Sequence, residues 1–411
     1  MEIWIPYGST EVRAGIRTES LAGLAEPGDM EPLKDLPSEV NRAINNPSGT
    51  APLGQFVERD DRVMVFSDLP SNTSSFELVN SIVLELCNIV PGDNITLMWR
   101  QTDPQSKVHT ESIGGMNIRT TDLGRSSSTI ETDLTVGKKT IKINSEFANA
   151  SAKILISSVS FDPVWGYTGC KGSLLSLLDE ETRIEIHRRS VGSYIEKDPS
   201  GPAEAMKTLD TLTASLGRSF AINVIPNKNG DAERIFAGAP EESLVESQRF
   251  LEKSHKVELE KSSDILIVGA GGRPYDYTLH SSLNAVLLNR GAVKNDGAVI
   301  LVAECAGGYG DENFRKWMSR GEELKSLKSM LKKEYEVGSE KAYFLRELHE
   351  QIRIYLVSVM PDYYARNIFK LRTSRTVDGA LESALRALGK DSSVVVVPYG
   401  ALTRTHVKPK T

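Results

Sequence analysis

The chain has 411 residues, 39% of them hydrophobic and 25% charged, and a formal net charge of −6. That length exceeds what a single hydrophobic core serves, so two domains of roughly 150–250 residues are expected. The composition is that of an ordinary globular soluble protein and excludes a fibrous or disordered chain. The acidic balance argues against nucleic acid as a partner. The basic run Lys325–Lys333 is flanked by Glu322, Glu323 and Glu334 and reads as a solvated helix face. Three cysteines, Cys87, Cys170 and Cys305, are an odd number without CxxC spacing, so neither a disulfide framework nor a thiolate zinc site is expected. The N-terminal residues lack a basic segment followed by an apolar one, and no run approaches the ~20 apolar residues of a membrane span. A cytoplasmic protein with no membrane partner is the expectation.

Apolar β-rich runs alternate with helical patterns along the chain, which points to the α/β class, with two α/β domains of mainly parallel sheets. The first expected strand, Arg62–Ser67, ends in the hydroxyl-rich loop Ser67-Asp68-Leu-Pro-Ser71-Asn72-Thr73-Ser-Ser75, suited to capping a helix and binding an anion. The second, Ile95–Trp99, runs into Arg100-Gln-Thr-Asp103-Pro104; Asp68 and Asp103 are either turn residues or site carboxylates. Ser112–Gly137 is an excursion rich in Gly, Ser and Thr, a flap or hairpin, before the strand Lys139–Asn144. The strand Lys153–Ser158 then leads to a loop punctuated by Gly166, Gly169 and Gly172, with Lys171 at its centre. His187 follows sixteen residues after that lysine, and the alternation Arg183-Ile-Glu-Ile-His187 reads as a strand or a helix end.

Beyond the strand Phe220–Ile225, a helix is expected from Pro240 to Lys253. The polar stretch Lys253–Ser263 marks the boundary, giving domains 1–257 and 258–411. The strand Asp264–Gly269 ends in Gly269-Ala-Gly-Gly-Arg273-Pro274. This turn lacks the third glycine of a dinucleotide fingerprint, and Arg273 and Pro274 stand where the helix should continue, so nicotinamide or flavin binding is not expected. On the next helix His280 and Asn284 share a face away from Leu279, Leu283, Val286 and Leu287; they either look into a cleft or decorate the surface. The strand Ala298–Ala303, the turn Ala306–Asp311, the strand Arg353–Ser358, the helix Asp378–Leu388 stopped by Gly389, and the strand Ser393–Pro398 complete the pattern. The six histidines show no HxxxH or HExxH spacing, so a metal would need long-range assembly or a delivered cofactor. Because ligands bind beyond the carboxyl ends of strands in open α/β sheets, five polar loops suggest a site in an interdomain cleft.

Together these loops resemble the nickel-pincer lactate racemase family along nearly the whole chain. Gly166-Tyr-Thr-Gly-Cys-Lys171 is similar to the family's GFSGG-K loop, and His187 stands at the family spacing. FAINVIPN (220–227) is followed by IFAG, and SDILIVGAGGRPYD (263–276) by DGAVILVAE. The resemblance implies a nickel ion held by a pyridinium-3,5-bisthiocarboxylic acid mononucleotide, with Lys171 as its thioamide tether and His187 as nickel ligand. It implies that Gly169, Gly172, Ser173, Ser71 and Thr73 line the cofactor, and that Trp165, Asn284 and Arg273 face a small hydroxy acid or alcohol. Proteins that synthesise the cofactor are implied partners. A sulfur–carbon–sulfur pincer supplies soft donors and an imidazole completes a square-planar nickel. The cofactor takes and returns a hydride, leaving orientation and proton transfer to the protein.

The chain departs from the family pattern at specific positions. Ser71 stands where the family's arginine follows its aspartate, here Asp68. Thr102-Asp103-Pro104 replaces a GxHRP loop, and Asp162-Pro-Val-Trp165 lies where the second acid/base histidine belongs. His280 and Asn284 replace the Tyr and Lys of Tyr-Gln-x-x-Lys. Each missing imidazole would contribute roughly 10²–10⁴ in rate, which leaves Asp103, His280 and Asp68 as proton-transfer candidates. Loss of the arginine and lysine removes a charged carboxylate clamp and favours a larger or less acidic hydroxyl substrate. The resulting expectation is a divergent isomerase, a racemase or epimerase of a 2-hydroxy acid or related alcohol. The alternatives are a catalytically silent paralogue that binds the cofactor or another nucleotide, and an enzyme using Lys171 as an amine nucleophile or phosphate ligand.

Overall fold

The computed structural model describes residues 1–28, 33–70, 72–100, 119–122, 128–197 and 200–408. The chain divides into two compact units, one of Met30–Ser160 and Val164–Leu251, the other of Met1–Asp29, Phe161–Pro163 and Glu252–Thr411.

The first unit is built on a six-stranded sheet in the order Ala232–Gly238, Ser219–Pro226, Ala152–Ser158, Val63–Ser67, Ile95–Trp99, Arg119–Asp122. All neighbours are parallel except the antiparallel pair at the Ala232–Gly238 edge. Parallel strands covered on both faces read as continuous apolar runs, and Val63–Ser67 is buried throughout. Val63, Val65, Ile154 and Ile156 pack on one face with Leu78, Ile82 and Leu86 of the helix Thr73–Cys87. Met64, Phe66 and Leu155 pack on the other with Leu174, Leu177, Leu209 and Leu212.

The second unit has six parallel strands in the order Arg372–Ser374, Arg353–Val357, Val293–Val302, Ser263–Gly269, Val394–Val397, Leu21–Leu24. One face carries the helix Val377–Leu388 and the N-terminal hairpin Glu2–Tyr7/Thr10–Gly15, whose Ile3, Ile5 and Ala14 enter the core. The N-terminal strand Leu21–Leu24 pairs with Val394–Val397, so these residues fold with the second unit.

Every strand expected from the sequence is present, and the helices appear as Pro240–Ser254 and Val377–Leu388, with Gly389 at φ 113° closing the latter. Lys325–Lys333 falls within the helix Leu324–Lys333, which buries Leu327 and Leu331. In the excursion, Thr129–Val136 pairs antiparallel with Lys139–Asn144, while residues 112–118 and 123–127 lie outside those described. Among the described residues no helix is long and apolar enough to cross a membrane.

Candidate functional site

In the first unit, the chain leaves the strand Ala152–Ser158 and returns through a turn in which Thr168 N donates to Ser160 O at 2.9 Å and Ser160 N to Thr168 Oγ1 at 2.8 Å. Gly169 follows at φ 129°, where a Cβ would lie 2.8 Å from Leu244 Cδ1. The helix Cys170–Leu177 begins immediately after it. Lys171, Gly172 and Ser173 therefore sit in a first helical turn, rather than at the centre of a loop. Gly169 completes the reversal, and burial of Cys170, Leu174 and Leu177 favours the helix from there. The fully buried Asn223 ties this turn to the neighbouring strand, accepting from Cys170 N at 3.2 Å and donating to Ser243 Oγ at 3.0 Å. Lys171 is buried and ion-paired with Asp210 Oδ1 on the helix Ser200–Ser215. A Cβ at Gly166 or Gly172 would meet nothing within 4 Å.

Asp68 follows the strand Val63–Ser67, its N–H donating to Ile156 O at 3.2 Å. Its Oδ1 is sealed from solvent with no hydrogen-bond partner among the described residues. Burial pushes this carboxyl up to about 7, against the pull of the Arg100 guanidinium and hydrogen bonds from Ser157 and from Ser158 N–H. Ser157 Oγ lies 2.7 Å from Ser173 Oγ, which lies 2.7 Å from Cys170 O. A protonated Asp68 can donate to Ser157, which then donates to Ser173 and that to Cys170 O. An ionised Asp68 instead accepts from Ser157, and Ser173 turns to donate to Ser157. The protonation state of Asp68 is thus coupled to hydroxyl orientation at the first turn of the Lys171 helix.

His187 lies inside the helix Glu180–Glu196, not in a strand or at a helix end. Asp179 caps that helix by accepting from Thr182 N at 3.3 Å, and Glu180 and Glu181 complement its N-terminus, which overrides the local alternation. The imidazole meets Trp165 edge-on, with ring centroids 5.6 Å apart and planes at 84°. Burial first, then Arg183 and Arg100, push His187 down to about 4, so it is neutral near pH 7 with a lone pair available to a metal. Arg183 Nε is buried and has no partner among the described residues. Among those residues no three His, Cys, Asp or Glu side chains gather as a metal site.

In the second unit, the glycine turn serves the fold. Gly271 and Gly272 have φ of 112° and 72°, Arg273 N donates to Gly8 O at 2.9 Å, and Asp276 Oδ2 accepts from Gly8 N at 2.6 Å and Glu304 N at 3.1 Å. Arg273 is half-exposed and paired with Glu304 at 3.0 Å. Thr278 caps the helix Leu279–Leu288 in a reciprocal pair with Ser281. On that helix His280 meets Phe314 edge-on at 5.9 Å, and its Nε2 is sealed without a partner among the described residues. Lys341, from the helix Ser339–Gln351, is buried and donates to Asn284 Oδ1. Burial pulls the Lys341 amine below its usual range while Glu340 and Asp162 oppose this. Burial and Lys341 push His280 down to about 3.

Asp68, Lys171, Ser173, His187, Trp165 and Gly169 thus belong to the first unit, and His280, Asn284 and Arg273 to the second. Thr73 is exposed in the first turn of a helix capped by Asn72, which accepts from Ser75 N at 2.8 Å. Asp103 and Ser71 lie outside the described residues. Sequence reasoning missed Lys341, Asp210, Ser157 and Asn223, whose partners are brought to them only by the tertiary fold.

Two family models match the chain, described as the lactate racemase N-terminal domain over residues 7–196 and the lactate racemase C-terminal domain over residues 258–403. The chain is 22% identical to a lactate racemase of Thermoanaerobacterium thermosaccharolyticum, covering 97% of each chain. It is 20% identical to a lactate racemase of Lactiplantibacillus plantarum over 96% of this chain and 97% of that one. Its fold is similar to that of the lactate racemase apoprotein from T. thermosaccharolyticum, with a TM-score of 0.84 at 20% identity over 99% of this chain and 100% of that one. It is also similar to a protein of Thermotoga maritima, with a TM-score of 0.65 at 13% identity over 93% and 100% of the two chains.

Proposed function

Because the chain belongs to the lactate racemase family, we propose that it is a cytoplasmic racemase or epimerase of a 2-hydroxy acid or related alcohol that uses a nickel-pincer mononucleotide. The observation that carries this reading is the pair formed by Lys171 and His187. One unit holds a buried lysine in a first helical turn and, on the next helix, a half-buried imidazole kept neutral. These residues fit the cofactor's needs. A group that brings its own sulfur donors requires from the protein one imidazole and one attachment point, and the described residues offer no metal site of their own. Lys171 would hold the group, with Asp210 orienting its amine beforehand, and His187 would ligate the metal with Trp165 fixing the ring. Arg100 and Arg183 place positive charge near His187, which suits a phosphorylated group.

Held by Lys171 and His187, such a group would supply a hydride acceptor and donor for the substrate's α-carbon. The protein moves the other proton. Asp68, poised near neutrality, takes the hydroxyl proton as the carbonyl forms and gives it back as the hydroxyl is restored. His280 remains neutral at working pH and acts through hydrogen bonding, and Asp103 is a second proton-transfer candidate.

The test is polarimetry on α-deuterated hydroxy acids, using protein co-expressed with cofactor-synthesis proteins. Rotation should decay to zero for at least one acid while the α-deuterium stays on carbon. Washing of the label into water would point to a deprotonation mechanism, and unchanged rotation across the panel would sink the proposal.

A further inference from the structure

Lys171 and Asp210 form an ion pair whose two ends differ in burial: the lysine side chain is 9% exposed and the aspartate 34%. Breaking a buried pair is costly because it strands the remaining charge away from water. Here that cost falls on one end. A Lys171 ammonium without its partner would be left in the interior, whereas Asp210, relieved of the lysine, still reaches solvent. The pair therefore tolerates neutralisation of the lysine, which acylation at Nζ brings about. Among the described residues no other group pairs with Lys171. The helix Cys170–Leu177 packs on the strand Ala152–Ser158, which offers Lys153, committed to Ala150 O at 2.7 Å, and on the strand Ser219–Pro226, which has no titratable side chain. On the helix Ser200–Ser215 the described charged neighbour of Asp210 is the exposed Lys207. Cys170 stays a thiol because burial pushes it up to about 12, with Asp68 acting in the same direction. Glu241 and Glu242, in the first turn of the helix whose Pro240 O meets Cys170 Sγ, form no ion pair with Lys171.

We propose that Asp210 masks Lys171: by holding the amine as an ammonium it protects the site from stray acyl donors and reserves it for a group bound beside Nζ. This rests on the attachment reading above and adds how the attachment point is kept selective. An ammonium has no lone pair, so Nζ must first pass one proton to Asp210, from which it reaches water. The freed lone pair then forms the bond to the acyl carbon. The bond from that carbon to its leaving group breaks with the electron pair on the leaving group, which takes the second proton. A stray donor rarely meets a neutral amine. A bound group waits beside Nζ and gains the advantage of proximity, equivalent to a high local concentration. Asp210 touches neither substrate nor reacting carbon, and acts through the lysine as a positioning residue.

The experiment is trace acetylation of the full-length, cofactor-free chain with acetic anhydride, read by peptide mapping in the parent, Asp210→Asn and Asp210→Glu, with the exposed Lys325 as internal reference. Asp210→Asn keeps the side chain's shape and removes its charge. At pH 7 it should acetylate Lys171 roughly tenfold faster than the parent, the factor by which a contacting opposite charge favours the ammonium. That gain should shrink toward about pH 10, near the ordinary range of a lysine amine. Asp210→Glu keeps the charge and should label at nearly the parent's rate. A gain that persists at the higher pH would mean that the variant only opens the packing, and it overturns the mask. So does equal labelling at pH 7, or a Lys171 that stays unlabelled in both folded proteins, since packing and not charge would then close it off. Each of these results leaves the attachment reading standing; that reading falls separately, if Lys171 is unmodified in protein from its native host.

Discussion

Replacing Asp68 by asparagine keeps the side chain's shape and removes its charge, so it isolates the one carboxyl that the fold pushes from 3.8 to about 7. The folded protein holds that proton up to about pH 7, whereas the unfolded chain releases it near 4. Asp68 therefore favours the folded state most at low pH, loses that contribution as pH rises toward 7, and is flat above. At about 1.4 kcal/mol per pKa unit the gap corresponds to a ceiling of roughly 4 kcal/mol. Asp68 is only half-buried as a residue although its Oδ1 is sealed, so about 2 kcal/mol is the working figure. The D68N variant escapes this penalty. Relative to the parent it should gain about 2 kcal/mol between pH 4.5 and pH 8, read from urea unfolding at the two pH values with unchanged m. His187 and His280 titrate in the opposite sense, being neutral when folded and protonated when unfolded at low pH, but both proteins share them and the difference cancels them. The same variant should lose roughly 10²–10⁴ in turnover at neutral pH if Asp68 carries the hydroxyl proton. An equal stability difference at both pH values would refute the buried-carboxyl argument, and full turnover with the parent's pH profile would refute its role.

The two glycines of the lysine turn should behave oppositely. Gly169→Ala meets Leu244 at 2.8 Å from a left-handed backbone and should cost roughly 1–3 kcal/mol by chemical denaturation. Gly172→Ala, helical and facing open space, should stabilise the cofactor-free chain by up to about 1 kcal/mol, and a measured loss would mean the space is not open. His187→Ala should lower nickel per chain at least tenfold, measured by metal analysis, while leaving mass attached to Lys171; unchanged nickel would remove His187 from the coordination sphere.

The parallel sheets were legible because their strands, covered on both faces, are near-continuous Val, Ile and Leu runs such as Ile265–Val268 and Val394–Val397. The strand Leu21–Leu24 was not, being short and interrupted by Gly23, and nothing local shows that it pairs with Val394–Val397, hundreds of residues away. The spacing of Lys171 and His187 was readable, but their helical settings were not. Asp179 capping one helix and Gly169 opening the other outweigh local alternation and glycine content. Asp210 and Lys341 carried no local signal, since each acts on a partner from another helix. Their importance lies in burial and pairing that only tertiary packing creates.

The most direct test of the account is intact mass and nickel analysis of protein purified from its native host, followed by peptide mapping across Lys171. The account predicts added mass on Lys171 and stoichiometric nickel. An unmodified Lys171 in protein without nickel would contradict it and favour a family member that has kept the fold without the chemistry.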